Sequence, residues 1–282
     1  MTANPLAFYM RQPKIYIRLP SNGQYWEEGS LEVSETGEYP VYSMTAKDEL
    51  ALKVPDALMN GQAVVDVIQH CIPNIKNAWA CPNLDLDTIL IAIRLATYGE
   101  MMKTTVQFGD LELEYNLGLR LILDSLQNQI SWDPAVVINN ELTVFVKPLT
   151  YKNISKAAIQ AFETQKIMTV VNDESISEEQ KLAIFKESFG KITQATLGTI
   201  VDSIRSIESV HGSTANPEHI QEFVDNIDRE IYIKIEEHLR ALREQNSIKP
   251  MRVAVTEELR EKGLTGEFVE IPITFDPSTF FV

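Results

Sequence analysis

Cysteine is almost missing from this chain of 282 residues, which has only Cys71 and Cys81. Two thiols cannot build a disulfide framework, and free thiols fit a reducing compartment. Basic residues are short too: 25 Lys and Arg stand against 40 Asp and Glu, for a net charge of −15. The deficit is even, with 10 basic against 18 acidic residues in 1–150 and 15 against 22 in the remainder. Sequence-independent nucleic-acid binding draws on a Lys/Arg stripe, and none is visible. Long apolar runs are also lacking. The most apolar segment, Leu84 to Tyr98, is fifteen residues and too short to span a bilayer. Pro5 and Arg11 interrupt the apolar start, which argues against a signal peptide, and no lipidation motif is seen. Neither Gly-x-x-x-x-Gly-Lys nor Gly-x-Gly-x-x-Gly occurs, so no phosphate cradle is expected. No repeat of fixed period is visible.

What is present is an ordinary globular composition, 44% hydrophobic and 23% charged, long enough to bury a core without covalent staples. The organising stretch is Val41 to Glu100, three or four short helices punctuated by Pro and Asn. In its last helix Leu86, Ile89, Leu90, Ile93 and Ala96 follow the spacing of a buried helical face. Asp85 and Asp87 read as first-turn acids complementing the helix dipole, and Gly99 as its C-terminal cap. Thr45 with Asp48 forms a capping-box pattern, and Gly61 to Cys71 is amphipathic.

Around this stretch the period changes. Ile15, Ile17 and Leu19 alternate as a strand, and Leu31-Glu-Val-Ser with Tyr39-Pro-Val-Tyr reads as a hairpin turning at Gly37, its second strand an edge because of Pro40. Val106 to Tyr115 reads as a hairpin about Gly109-Asp110, Leu117 to Gln127 as a helix, and Val136 to Val146 as another hairpin. From Lys152 helices are predicted near 153–170, 178–190, 192–209, 217–226 and 228–245, with loops at 170–179 and 209–216. Asn216-Pro217 is an N-cap with proline at the first helical position. Ile220, Phe223, Val224, Ile227, Ile231, Ile235 and Leu239 continue an apolar seam, which needs a partner element inside the chain or in a second subunit. Strand patterns return at Met251 and Phe268. Phe280 and Phe281 are expected to dock on the chain or on a neighbour.

The resulting expectation is an α+β fold, predominantly helical, with small antiparallel hairpins in the N-terminal half and at the C-terminus. Residues 1–150 would form a hairpin and compact helical core, 151–250 a helical extension, and 251–282 strands and an aromatic tail returning to the first domain.

Catalytic constellations are hard to assemble. His70, Cys71 and Cys81 offer at most three soft ligands at the wrong spacing for a zinc finger, and free cysteine behaves as a small hydrophobe. Cys71 with His211, His219 or His238 would be a nucleophile–base pair, but nothing local activates the thiol. Asp85 and Asp87, two apart in one turn, diverge rather than converge on a metal. No catalytic residue, metal or cofactor is expected.

A resemblance is carried by Leu19-Pro-Ser-Asn-Gly, by Tyr42-Ser-Met-Thr-Ala-Lys-Asp-Glu-Leu-Ala-Leu-Lys-Val-Pro-Asp-Ala-Leu, by Gly61, Cys71, Pro73, Ile75-Lys76, Ile91-Ala-Ile-Arg94 and Tyr98-Gly99, and by the closing Phe275-Asp-Pro-Ser-Thr-Phe-Phe. In order and spacing these residues are similar to the baseplate hub proteins of T-even-type contractile-tailed bacteriophages, both hub subunits and hub assembly factors. The resemblance implies a viral tail protein that works by protein–protein contact, assembled in the host cytoplasm and carried in the tail baseplate, with no nucleic acid or membrane partner. The alternative is a transient assembly chaperone absent from the mature virion. Relatives of that kind often carry Cys-x-x-Cys pairs after the Tyr-Gly. Here that stretch reads Thr105-Val-Gln-Phe-Gly-Asp and holds no cysteine, so no metal is expected there. Candidate partner contacts are Tyr39, Tyr42, Phe223, Ile227, Ile231, Ile235, Phe280 and Phe281, with self-association possible through the 217–245 seam.

Overall fold

The computed structural model of the chain describes residues 10–54, 61–108, 111–127, 132–171, 177–255 and 266–271, with positions 6, 257, 260, 273 and 280. Among the described residues, eight α-helices combine with four small antiparallel sheets in an α+β fold.

The first core is built by the organising stretch. Strand β1 (Pro13–Ile17) pairs with β2 (Tyr39–Tyr42), Ile17 opposite Tyr39. This corrects the expected hairpin: β2 takes β1 as partner, and Leu31 instead bridges Ile75. Helix α1 (Ala46–Leu52) starts on a complete capping box, in which Thr45 Oγ1 accepts the Asp48 N–H and the Asp48 carboxylate accepts the Thr45 N–H at 2.8 Å. Helix α2 (Gln62–Cys71) follows Gly61, whose φ of 78° is available at low cost only to glycine. Helix α3 (Asn83–Tyr98) runs through the centre, and Ile89 to Ile93 are each at most 1% exposed. Burial on every side is what an all-apolar helical segment demands. Gly99 closes it with φ 92°, its N–H returning to the Leu95 carbonyl. A two-stranded ribbon, β3 (Met101–Phe108) and β4 (Leu111–Gly118), leads to helix α4 (Leu119–Gln127), which packs back on α3 through Leu119 and Leu123. The expected turn at Gly109-Asp110 lies outside the described residues.

The second core joins segments far apart in sequence. Strands β5 (Ala135–Asn139) and β6 (Leu142–Val146) form the expected hairpin. Helices α5 (Tyr151–Val171) and α6 (Glu178–Ser203) make an antiparallel arm, α6 continuing unbroken through Gly190. The helix expected over 192–209 is then corrected. It stops at Ser203, and Ile204–Ser209 is strand β7, paired to β6 on one side and to β8 (Gly212–Thr214) on the other. The register slips by one residue opposite Phe145 and Val146. That bulge returns Ile207 to the face that Ile204 already occupies, and both are buried. Helices α7 (Pro217–Asn226) and α8 (Arg229–Asn246) are capped by Asn216 and Asp228 and cover the four-stranded sheet β5-β6-β7-β8. Ile220, Val224, Ile235 and Leu239 of the seam are buried there with Val136, Val144 and Ile207. The seam therefore finds its partner element inside the chain.

At the end, β9 (Met251–Ala254) pairs with β10 (Phe268–Ile271) as a separate ribbon. It is a two-stranded sheet of its own, and Val269 and Ile271 pack with Tyr115 of β4. Phe280 lies in the first core, 1% exposed.

Candidate interaction surfaces

The residues singled out from sequence separate into buried anchors and a half-exposed rim. Tyr39 belongs to the first core, its hydroxyl close to Gly23. Tyr42 is half-buried, with the Arg11 guanidinium 5.6 Å from its ring centroid. Ile235 is fully buried in the second core, while Phe223, Ile227 and Ile231 are half-buried at its edge. Phe280 is held by Arg94, which lies 5.2 Å from its ring and 5.2 Å from that of Tyr98, and which donates to the Phe280 carbonyl. Burial pulls the Arg94 guanidinium below its usual value, with Tyr98 acting the other way. Phe281 lies outside the described residues. The structure thus gathers Phe223, Ile227, Ile231 and Ile235 around one sheet, and Tyr39 and Phe280 in the other core.

Several anchoring residues escaped sequence reasoning. Asp85, taken as a helix-dipole acid, is fully buried and reaches 64 positions back in the chain. It accepts the Ser21 N–H at 2.7 Å, the Ser21 hydroxyl at 2.5 Å and the Trp26 indole N–H at 2.8 Å. Burial pushes its carboxyl up to about 6 despite these three donors, and burial likewise raises Asp87 to about 6. Ser-Asn-Gly after Pro20 was legible as a turn, but its anchor on α3 was not. A second hidden joint is the stack of Trp79 on Tyr151, centroids 5.6 Å apart and 19° from parallel. Beside it the Tyr151 N–H meets the Cys81 carbonyl at 2.8 Å, tying the arm to the first core.

The titratable groups of this region are engaged structurally. Cys71 is fully buried, and burial pushes its thiol up to about 12. The thiolate needed by a nucleophile is therefore not populated near neutral pH. His70 Nδ1 lies 2.8 Å from Asp48. Burial disfavours charge on Asp48, but the bonds from Thr45 and His70 outweigh it and hold the carboxyl below its usual range. His219 Nδ1 lies 3.1 Å from the Thr214 hydroxyl and His238 Nε2 2.9 Å from the Asp133 carbonyl. Among the described residues no three His, Cys, Asp or Glu side chains are grouped to hold a metal ion. No helix among them is long and apolar enough to cross a membrane. The described residues form two cores and an arm, with half-exposed apolar residues at the edge of the second core.

Comparison with known proteins gives one finding. The family model described as T4 bacteriophage base plate protein matches residues 12–251. No curated protein and no solved structure matches the chain.

Proposed function

Because the chain belongs to the family of T4 bacteriophage base plate proteins, we propose that it is a subunit of the baseplate hub, or a factor that assembles the hub, and that it works by contact with other tail proteins and without catalysis. The observation that carries this reading is the extent of the match, residues 12–251, which takes in the second core, the arm and the first core apart from Phe280. The assignment to the hub rests on the order of motifs from Leu19 to Gly99. Non-catalytic action is supported by the buried Cys71 thiol and by the structural engagement of His70 and Asp48.

The surfaces for such contact are Tyr42 at the end of β2 and the rim of Phe223, Ile227 and Ile231, with Tyr39 and Phe280 buried in the first core and Ile235 in the second. The same rim of the 217–245 seam is the face through which two copies would associate. A clean monomer in light scattering counts against that association. The protein needs no nucleic acid, membrane or cofactor for this work. It is assembled in the host cytoplasm and resides in the tail baseplate. A second reading, a transient chaperone that leaves before the particle is complete, is favoured by the net charge of −15, a common property of such factors. Quantitative mass spectrometry of purified particles separates the two. A resident subunit appears at a fixed ratio to other baseplate proteins, and a chaperone is absent.

A further inference from the structure

We infer that the cleft where the arm leaves the first core is a docking site for an acidic segment of a neighbouring protein that carries one bulky apolar side chain. The cleft, about 570 Å³, has an apolar floor of Trp79, Ala80 and Ile159, with Lys152 and Lys156 on one rim and Glu27 also lining it. Its floor is pre-formed. The Trp79 ring is held by its stack on Tyr151, and a Cβ on Gly61 would come within 3.1 Å of both side chains, so the wall behind them is closed. Ile159 is 38% exposed, so apolar surface remains for an occupant to cover.

The charge pattern says what kind of occupant fits. Lys152 and Lys156 lie one turn apart on α5, where like charges repel, and Lys152 sits in the first turn, where the helix dipole opposes a cation. Neither has an ion pair or hydrogen bond among the described residues, although acids outnumber bases in the chain. Carboxylates on an occupant meet both lysines, while its apolar side chain settles on Trp79 and Ile159. Glu27, on the same lining, repels carboxylates, so those of the occupant face the lysines of α5. The inference rests on the assembly reading for the source of the segment, a neighbouring tail protein. The cleft itself is testable without any tail.

The probe is the peptide acetyl-Glu-Asp-Phe-Glu-Asp-amide, titrated into the full chain and followed by tryptophan emission, with Trp79→Phe identifying the responding ring. The expected result is saturable binding below about 1 mM. Binding should weaken at least tenfold for acetyl-Lys-Lys-Phe-Lys-Lys-amide, for the Ala-centred acidic peptide, and for the Lys152→Glu/Lys156→Glu variant. Ile159→Ser, which leaves both lysines in place, should weaken the Phe-centred peptide alone. Equal binding of the acidic and basic peptides overturns the inference, as does unchanged affinity in the lysine variant or the absence of saturation. Failure here leaves the baseplate assignment standing, since that assignment is read from particles. Success here with the chain absent from every tail intermediate would move the partner elsewhere.

Discussion

At the residue scale, the molecule places its few buried charges where they join distant parts of the chain. Asp85 fastens the Ser21 to Trp26 turn onto α3, at the cost of a carboxyl raised to about 6. An acid whose folded-state value exceeds its unfolded one near 3.8 binds its proton more tightly when folded. Stability from this group therefore rises as pH falls from 7 through 6, by about 1 kcal/mol between pH 7 and pH 5. Asp48 acts in the opposite sense. Its depressed value contributes stability that is present above the ordinary carboxylate range and lost as pH falls through the folded value. Urea unfolding at pH 7 and pH 5 checks the sign: Asp85→Asn should lose the part of the gain toward pH 5 that the wild-type chain owes to this carboxyl. Gly61 is a second sensitive position. Its φ of 78° strains any side chain, and a Cβ would stand 2.6 Å from Ser155 Oγ. Gly61→Ala should destabilise by about 1–3 kcal/mol, and adding Ser155→Ala should relieve only the steric share, leaving the backbone strain.

At the element scale, α8 shows how burial grades the importance of a seam. Ile235 is enclosed by the sheet, whereas Ile231 is half-exposed on the same helix. Ile235→Ala should cost about 2–5 kcal/mol in denaturant unfolding, and Ile231→Ala markedly less. Sequence periodicity located α1, α2, α3, α4, α7 and α8 through their apolar faces, helped at α1 and α7 by the caps Thr45 and Asn216. It failed at β7 for a definite reason. Ile200, Ile204 and Ile207 are spaced like one face of a helix, and the bulge opposite Phe145 and Val146 lets a strand bury Ile204 and Ile207 with that same spacing. Only the pairing to β6, about sixty positions earlier, reveals the strand. Asp85 was misread for a related reason, since a first-turn acid fits the helix dipole whether or not Ser21 and Trp26 are near it. The β2 partner was likewise hidden, because adjacency in sequence favoured Leu31 over β1. The seam holding Ile235, and Phe280, were legible as apolar surfaces needing cover from the chain or from a neighbour, and the chain itself supplies it.

At the scale of the whole molecule, contacts between distant segments hold the cores and the C-terminal part together. Arg94 binds the Phe280 carbonyl across 186 positions and lies over its ring. Arg94→Ala should undock the C-terminal residues, so that limited proteolysis removes them first while the two cores persist. The arm is fixed to the first core by the Tyr151 N–H and the Trp79 stack, and to the second through α7, so it presents its surface on a firm base. In the proposed role the chain acts through the position of its surfaces, while Cys71 and Cys81 are buried and Asp48 and Asp85 bind other parts of the fold. The most direct test is an infection lacking this chain, scored by electron microscopy for tails with complete baseplates. Complete baseplates should be missing, and should return on supplying either the wild-type chain or Cys71→Ser. Complete tails formed without the chain, or a rescue that demands the Cys71 thiol, would contradict a role carried by contact alone.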